Sequence, residues 1–351
     1  MMDDTVILAI ETSCDDTAAA VFVGSRLASN VCAAQRIHQG FGGVVPELAG
    51  RAHQVLIVPV VQAALDEAGV TRSDLDAVAV TYGPGLAGSL LVGLSFAKAM
   101  ALALDIPLVG VNHLEGHVYS VFIEEPHPAF PYICLTVSGG HTQLDVVREG
   151  MVHENLGRTR DDAAGEAFDK VAKMMGLGYP GGPVIDRLAA NGNSRFIDFP
   201  RTRLSNAQGP FDFSFSGIKT SVLYTLSPMS EEERGRYLED HAADLAASFQ
   251  KAVVDVLLGA LRDAARVTGI STLAIVGGVS ANRQLREEAQ AMADAEGFDL
   301  HIPRLAFSMD NAAMIAATAR FKLASGATSA LTLTAVPSLR LGQEALREGN
   351  G

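Results

Sequence analysis

Residues 5–23, TVILAIETSCDDTAAAVFV, read as strand, tight polar turn, strand; residues 131–147, PYICLTVSGGHTQLDVV, repeat the design. Each turn is rich in small residues, which leave backbone N–H groups free to meet an anion. Either turn alone passes as an ordinary β-hairpin. The pair, joined by the Gly-Gly turn in TLAIVGGVSANRQL (residues 272–285), indicates two α/β lobes with phosphate loops facing across a central cleft.

Outward from the first unit, residues 26–35 read as a third strand and 40–46 as a Gly-rich loop. Apolar positions then recur at helical spacing over 47–65, followed by a strand at 76–82, the loop GPGLAG, a helix at 89–104 and a strand at 107–111. Outward from the second unit come helices at about 161–175 and 184–190, an ambiguous stretch at 211–222 and a strongly helical one at 241–268. Residues 272–276 read as a buried strand, 299–303 as a short one and 308–321 as a final helix. These assignments divide the chain into an N-terminal lobe at 1–129, a C-terminal lobe at 130–325 and a frayed tail at 326–351.

A chain of 351 residues with 48% hydrophobic and 19% charged side chains is globular, not disordered. The longest apolar stretch, residues 89–111, is broken by Lys98, Asp105 and Pro107, and reads as a buried helix and a strand, with no membrane span. The N-terminus shows no basic segment of a secretory signal. Three scattered cysteines give neither a disulfide framework nor a zinc site, and fit a reduced cytoplasmic compartment. The net charge of −13 counts against tight nucleic-acid binding by this chain alone. Local basic patches are still compatible with this balance, for instance at Arg201 and Arg203, and for an RNA substrate a partner is expected to supply much of the positive surface.

In VNHLEGHVYS (residues 111–120), His113 and His117 lie four apart, on one face if the segment is helical. Glu115 points elsewhere, and the Glu of an H-E-x-x-H peptidase is missing. The pair alone is ordinarily two solvated or hydrogen-bonded histidines. With Asp310 of SMDNAAMIA, itself readable as a first-turn acid, it would make a two-His, one-carboxylate site suited to Fe(II) or Zn(II). Asp15 and Asp16 in the first turn need a metal or a proton to be tolerated near phosphate, so that turn is expected to face the metal. Asp169 sits late in a small-residue helix where the dipole disfavours it, so holding ligand hydroxyls is an alternative to a solvated face. Gly181, Gly182 and Asp186 surround a probable helix start. Asn282 is either a substrate contact or only a cap.

Together IETSCDDTAAA, GGVVPELAGRAH, GPGLAGSL, HLEGH, VSGGHTQL, DDAAGEAFDK, YPGGP, DFSFSGIKT, GGVSANRQL and SMDNAAMIA resemble, in order from residue 6 to 322, the motif set of the TsaD-type tRNA N6-adenosine threonylcarbamoyltransferases. That family belongs to the actin, sugar-kinase and heat-shock-chaperone superfamily. The resemblance implies transfer of a threonylcarbamoyl group from threonylcarbamoyl-adenylate to N6 of adenosine 37, in tRNAs reading codons that begin with adenine. It implies one divalent metal, Fe(2+) ahead of Zn(2+), on His113, His117 and Asp310. Substrate contacts are implied at Thr136, Val137, Ser138, Gly139, Gly140, Asp169, Gly182, Asp186 and Asn282, with Asp15 as the candidate catalytic carboxylate. A smaller paralogous TsaB-like subunit and a TsaE-like P-loop ATPase are the implied partners. Asp16 stands where Glu is commoner in the family.

An already activated donor needs positioning and charge stabilisation more than a nucleophile, and no Ser-His-Asp or Cys-His arrangement is evident. Two other readings remain at this point: a metallopeptidase, from the histidine pair, and a nucleotide-gated scaffold without catalysis.

Overall fold

Each strand-turn-strand stretch founds a five-stranded sheet in the computed structural model, which describes residues 4–41, 43–201 and 211–343. The first sheet contains β1 (Val6–Glu11), β2 (Asp16–Val23), β3 (Arg26–Ala34), β4 (Ala77–Gly83) and β5 (Leu108–Asn112), ordered β3-β2-β1-β4-β5. β1 to β3 are antiparallel, whereas β4 and β5 run parallel to β1. The second sheet contains β6 (Tyr132–Val137), β7 (Thr142–Arg148), β8 (Val152–Arg158), β9 (Thr272–Val276) and β10 (Asp299–His301), ordered β10-β9-β6-β7-β8. In both sheets the order is third, second, first, fourth, fifth strand of the half. The duplication expected from two short turns therefore extends through ten strands.

Strands β1, β2, β4 and β5 of the first sheet are buried and read accordingly as near-continuous apolar runs, whereas β3 is largely half-buried or exposed. Leu8, Ile10, Ala19 and Val21 pack under α1 (Pro46–Ala68) and α2 (Ala87–Leu104). Ile7, Ala9, Ala18, Ala20 and Phe22 pack on α10 (Ala312–Ala324). α1 and α2 are long and apolar enough to cross a membrane by length and composition, but their inner faces belong to this core.

The second sheet carries α4 (Ala164–Met174), α5 (Gly181–Ala189), α6 (Ser216–Leu226), α7 (Glu231–Thr268) and α8 (Arg283–Glu296). Ile133, Leu135, Leu144, Val146, Leu273 and Ile275 build the core beneath them.

The chain separates into units of Met1–His127, Gly150–Val152 and Pro303–Gly351 on one hand, and Pro128–Glu149 and His153–Ile302 on the other. The expected lobes of 1–129 and 130–325 follow the sequence, whereas the last helix returns to the first unit. The reason is its surface: alanines 312, 313, 316, 317 and 319 let α10 lie close on the small-residue face of β1 and β2.

Several boundaries differ from the sequence reading. Asp161 and Asp162 precede α4, α5 begins at Gly181, and Asp310 lies outside α10, ahead of its cap Asn311. α7 starts ten residues before the expected 241, at Glu231. Its first turns, EEERGRYLED, are polar and lack apolar periodicity; the mutual Ser230–Glu233 capping box marks the start instead. The tail is not frayed as far as residue 343. Ser329 bridges to Leu108, Val336 N donates to Tyr82 O at 2.8 Å, and Leu339 is buried. Gly42, Arg203 and the EGN at the chain's end lie outside the described residues.

Candidate metal centre and substrate loops

β5 ends in Asn112, whose side chain accepts from Leu114 N at 2.9 Å and starts α3 (His113–Tyr119) with no intervening loop. The cap fixes the helix phase, and the two histidines share a face, their rings 4.7 Å apart in an edge-on arrangement. Gly116 lets α3 approach α10, because a Cβ there would lie 2.9 Å from Ile315 Cδ1. That packing brings the residue ahead of α10 to the histidine pair. Asp310 Oδ1 lies 3.1 Å from His117 Nε2 and 3.5 Å from His113 Nε2.

One ligand atom from each of His113, His117 and Asp310 falls within a 4.8 Å group. Both ring nitrogens of His117 are buried, and neither makes a well-formed hydrogen bond. A buried imidazole in that state, beside an anionic oxygen and a second imidazole, is the donor set expected of a divalent cation site. Glu115 is turned away, as expected, to pair with Lys322 Nζ at 3.0 Å.

The sequence reading missed Glu11, the acid that ends the buried strand β1. Its carboxylate accepts from Ser13 N and Thr81 Oγ1, both at 2.5 Å, and lies 3.2 Å from His113 Nδ1. Ser13 Oγ is 3.1 Å from the same nitrogen, so the TSCDDT turn rests against His113. An anionic acceptor at Nδ1 holds a ring proton there, so Nε2 faces Asp310 and is the atom that would bind a cation. Burial opposes charge on all three groups, yet mutual attraction wins. His113 titrates well above its ordinary value, held by Asp310 and Glu11, while Glu11 and Asp310 are lowered by His113.

The first turn is buttressed from two sides. Gly85 packs on it so tightly that a Cβ would sit 2.4 Å from Ser13 O, and Leu86 N donates to that oxygen at 2.7 Å. His53 of α1 bridges Thr17 Oγ1 and Cys14 O at 2.7 and 2.9 Å. Asp15 is half-buried in the turn, and Asp16, the first residue of β2, is pushed up to about 7 by burial and by Asp310, Asp15 and Glu11. Burial, with Asp15, Asp310 and Asp16 nearby, pushes the Cys14 thiol upward, the opposite of an activated nucleophile.

Among the expected substrate residues of the second unit, Thr136 and Val137 are buried ladder residues of β6. Ser138, Gly139 and Gly140 form the turn, and Cβ atoms on the two glycines would meet nothing within 4 Å. Gly277, at φ +89, backs this turn: a side chain there would be strained and would meet Val137 O at 2.5 Å. Asp169 Oδ1 accepts from Gly181 N at 2.7 Å, and the Gly182 N–H also donates to this carboxylate, placing it on the α5 N-terminus. Asn282 is the N-cap of α8, accepting from Leu285 N at 2.9 Å, and also donates to Gln250 Oε1 at 2.7 Å. Gln250 in turn donates to Asp186 Oδ1 at 3.0 Å, so Asp186 and Asn282 share one network. Arg201 is neutralised by Asp198 and Asp255 and offers no free basic patch.

Two sheets of identical strand order, each opened by a glycine- or serine-bearing turn, make the duplicated α/β fold of the actin-like class. The crystal structure of T. kodakarensis HypF shares it, with a TM-score of 0.60 at 14% identity over 92% of this chain and 48% of that one. Within that class, the profile of the TsaD family, tRNA N6-adenosine threonylcarbamoyltransferase, matches residues 26–317. The Salinibacter ruber enzyme of that name is 58% identical over 96% of this chain and all of its own length. The Chlorobium luteolum one is 52% identical over 92% of this chain and 94% of its own. The chain belongs to this family of tRNA-modifying transferases.

Proposed function

We propose that this transferase moves the threonylcarbamoyl group from threonylcarbamoyl-adenylate to N6 of adenosine 37 in tRNAs that read codons beginning with adenine. The amine nitrogen attacks the carbamoyl carbon, the carbon–oxygen bond to phosphate breaks, AMP leaves, and N6 gives up one proton. The observation that carries the reading is the convergence of His113, His117 and Asp310 on α3 and the entry to α10.

His113, His117 and Asp310 hold one divalent cation, Fe(2+) with Zn(2+) as the alternative. When bound, such a cation supplies Lewis-acid polarisation of the carbamoyl carbonyl and countercharge for the departing phosphate. The chain's own residues do the rest. Glu11 fixes the ring of His113. The open backbone of Ser138, Gly139 and Gly140 meets phosphate, with Thr136 and Val137 setting the turn's position from β6. Asp169, Gly182, Asp186 and Asn282 orient the donor, and Asp15 is the catalytic carboxylate on the turn tied to His113.

The proposed partners are a smaller TsaB-like paralogue, a TsaE-like P-loop ATPase and tRNA, acting in the cytoplasm. Two features support a partner: the net charge of −13, and the exposed Val55 and Val58 on α1 with Leu91 and Leu102 on α2. Such apolar side chains on long helices are what a subunit surface needs.

The test is reconstitution. Purified chain with donor, unmodified tRNA and both partners yields threonylcarbamoyl-adenosine by mass spectrometry, and His117→Ala or Asp310→Ala abolishes it. Full modification by both variants, with activity abolished by loss of a partner surface, would move the protein to the scaffold reading. Glu115, bound to Lys322, offers nothing to a peptidase reading.

A further inference from the structure

Gln250 is fully buried in the middle of α7, among Phe249, Val253 and Val254. A buried amide costs stability unless its polar atoms are all used. Here both ends are used. Nε2 donates to Asp186 Oδ1 and to Gln284 Oε1, each at 3.0 Å, and Oε1 accepts from Asn282 Nδ2 at 2.7 Å.

The order of donors leaves no freedom. Asp186 is a carboxylate and only accepts, so the NH2 of Gln250 must face it and its oxygen must face Asn282. Asn282 then turns its NH2 to Gln250 and its oxygen to Leu285 N, at 2.9 Å. The second oxygen of Asp186 accepts from Arg283 N at 3.3 Å. The charge on Asp186 thus sets the orientation of two amides and reaches the first turn of α8.

The geometry points to Gln250 as a positioning residue for donor binding, holding Asp186 and Asn282 as one preorganised unit although it touches no substrate. This rests on the proposed function, in which Asp186 and Asn282 contact the adenylate donor. Gln250 fixes the carboxylate oxygens of Asp186 for ligand hydroxyls and holds the amide of Asn282 in one orientation. A preorganised pair binds without an ordering cost at the moment of contact.

The test uses the full chain and a non-transferable carbamoyl-adenylate analogue, with affinity measured by calorimetry from pH 5.5 to 8.5 and thermal melting as a folding control. Gln250→Met keeps the volume and deletes the amide; it weakens the analogue about five- to tenfold, the worth of one or two lost hydrogen bonds. Its effect is less than additive with that of Asp186→Asn, because both break the same unit.

Gln250→Glu gives a signature that space-filling would not. It sets a second carboxylate against Asp186, and two adjacent carboxylates cannot both ionise easily. At low pH the new acid is neutral and can donate to Asp186 as the amide does, so affinity recovers toward that of the parent chain. At high pH it is lost. The neighbouring charges are internally paired: Lys251 with Asp255 and Glu288, and Arg283 with Glu287.

If Asp186→Asn and Asn282→Ala weaken the analogue while folded Gln250→Met and Gln250→Glu bind it as the parent does at every pH, the positioning role is wrong and the donor site stands. If Asp186→Asn and Asn282→Ala bind normally, the donor site itself is misplaced, and the inference falls with it.

Discussion

Glu11 Oε2 and His113 Nδ1 lie 3.2 Å apart in a buried contact that joins the first strand of the chain to the helix bearing both histidines. Carboxylates behind metal-binding histidines fix the ring and raise its basicity, and their loss typically costs about 10- to 100-fold in metal affinity. Glu11→Gln keeps the shape and removes the charge. The expected result is divalent-metal binding weakened by about that factor in a calorimetric titration, with the fold intact by circular dichroism. An affinity equal to the parent's would show that Glu11 serves β1 alone.

The tail also reaches the histidine helix. Arg340 O accepts from Asn112 Nδ2 at 3.1 Å, Pro337 O accepts from Gly85 N at 3.1 Å, and Leu339 is anchored beside them with 2% of its surface exposed. Leu339→Ala should cost about 2–4 kcal/mol of stability by denaturant unfolding, the usual range for a buried leucine truncated to alanine. A loss below about 0.5 kcal/mol would mean the tail is only loosely laid on β4 and β5.

Asp145 gives a pH prediction away from the metal centre. Burial pushes its carboxyl up to about 6, against hydrogen bonds from Asn155 and Gln143 and attraction from His153. The folded protein therefore keeps a proton that the unfolded chain gives up near pH 4. Its contribution disfavours the fold progressively as pH rises from about 4 to 6, by up to roughly 3 kcal/mol, and is constant above. Asp145→Asn should flatten that part of the stability–pH curve. An unchanged curve would place the effect on other groups.

Cys14 sits in the turn beside Asp15, where burial and acidic neighbours keep its thiol protonated. Cys14→Ala should retain modification activity within about a factor of two or three, since it perturbs packing slightly and chemistry not at all. A loss of several orders of magnitude in single-turnover rate would demand a covalent role.

Much of this was legible in the sequence where a local rule and the tertiary outcome agree. The two strand-turn-strand stretches, the helix after GPGLAG and the one-face placement of His113 and His117 follow from period and glycine placement. The return of α10 to the first unit was not legible, because its alanine-rich surface has no polar side to show which sheet it covers. β8 alternates too weakly to be seen, with Val152, Glu154 and Asn155 exposed. Glu11 carried a usable signal, a single acid closing an otherwise apolar strand. Gln250 carried none: a glutamine within a long amphipathic helix is indistinguishable from a surface one until its neighbours are known.

Metal content per chain tests most directly whether His113, His117 and Asp310 hold one ion. After anaerobic loading with Fe(2+) or Zn(2+) and desalting, elemental analysis should give about one metal per chain for the parent. His117→Ala and Asp310→Ala should retain almost none while remaining folded. Full retention by both folded variants, or no metal on the parent at saturating concentration, would contradict it.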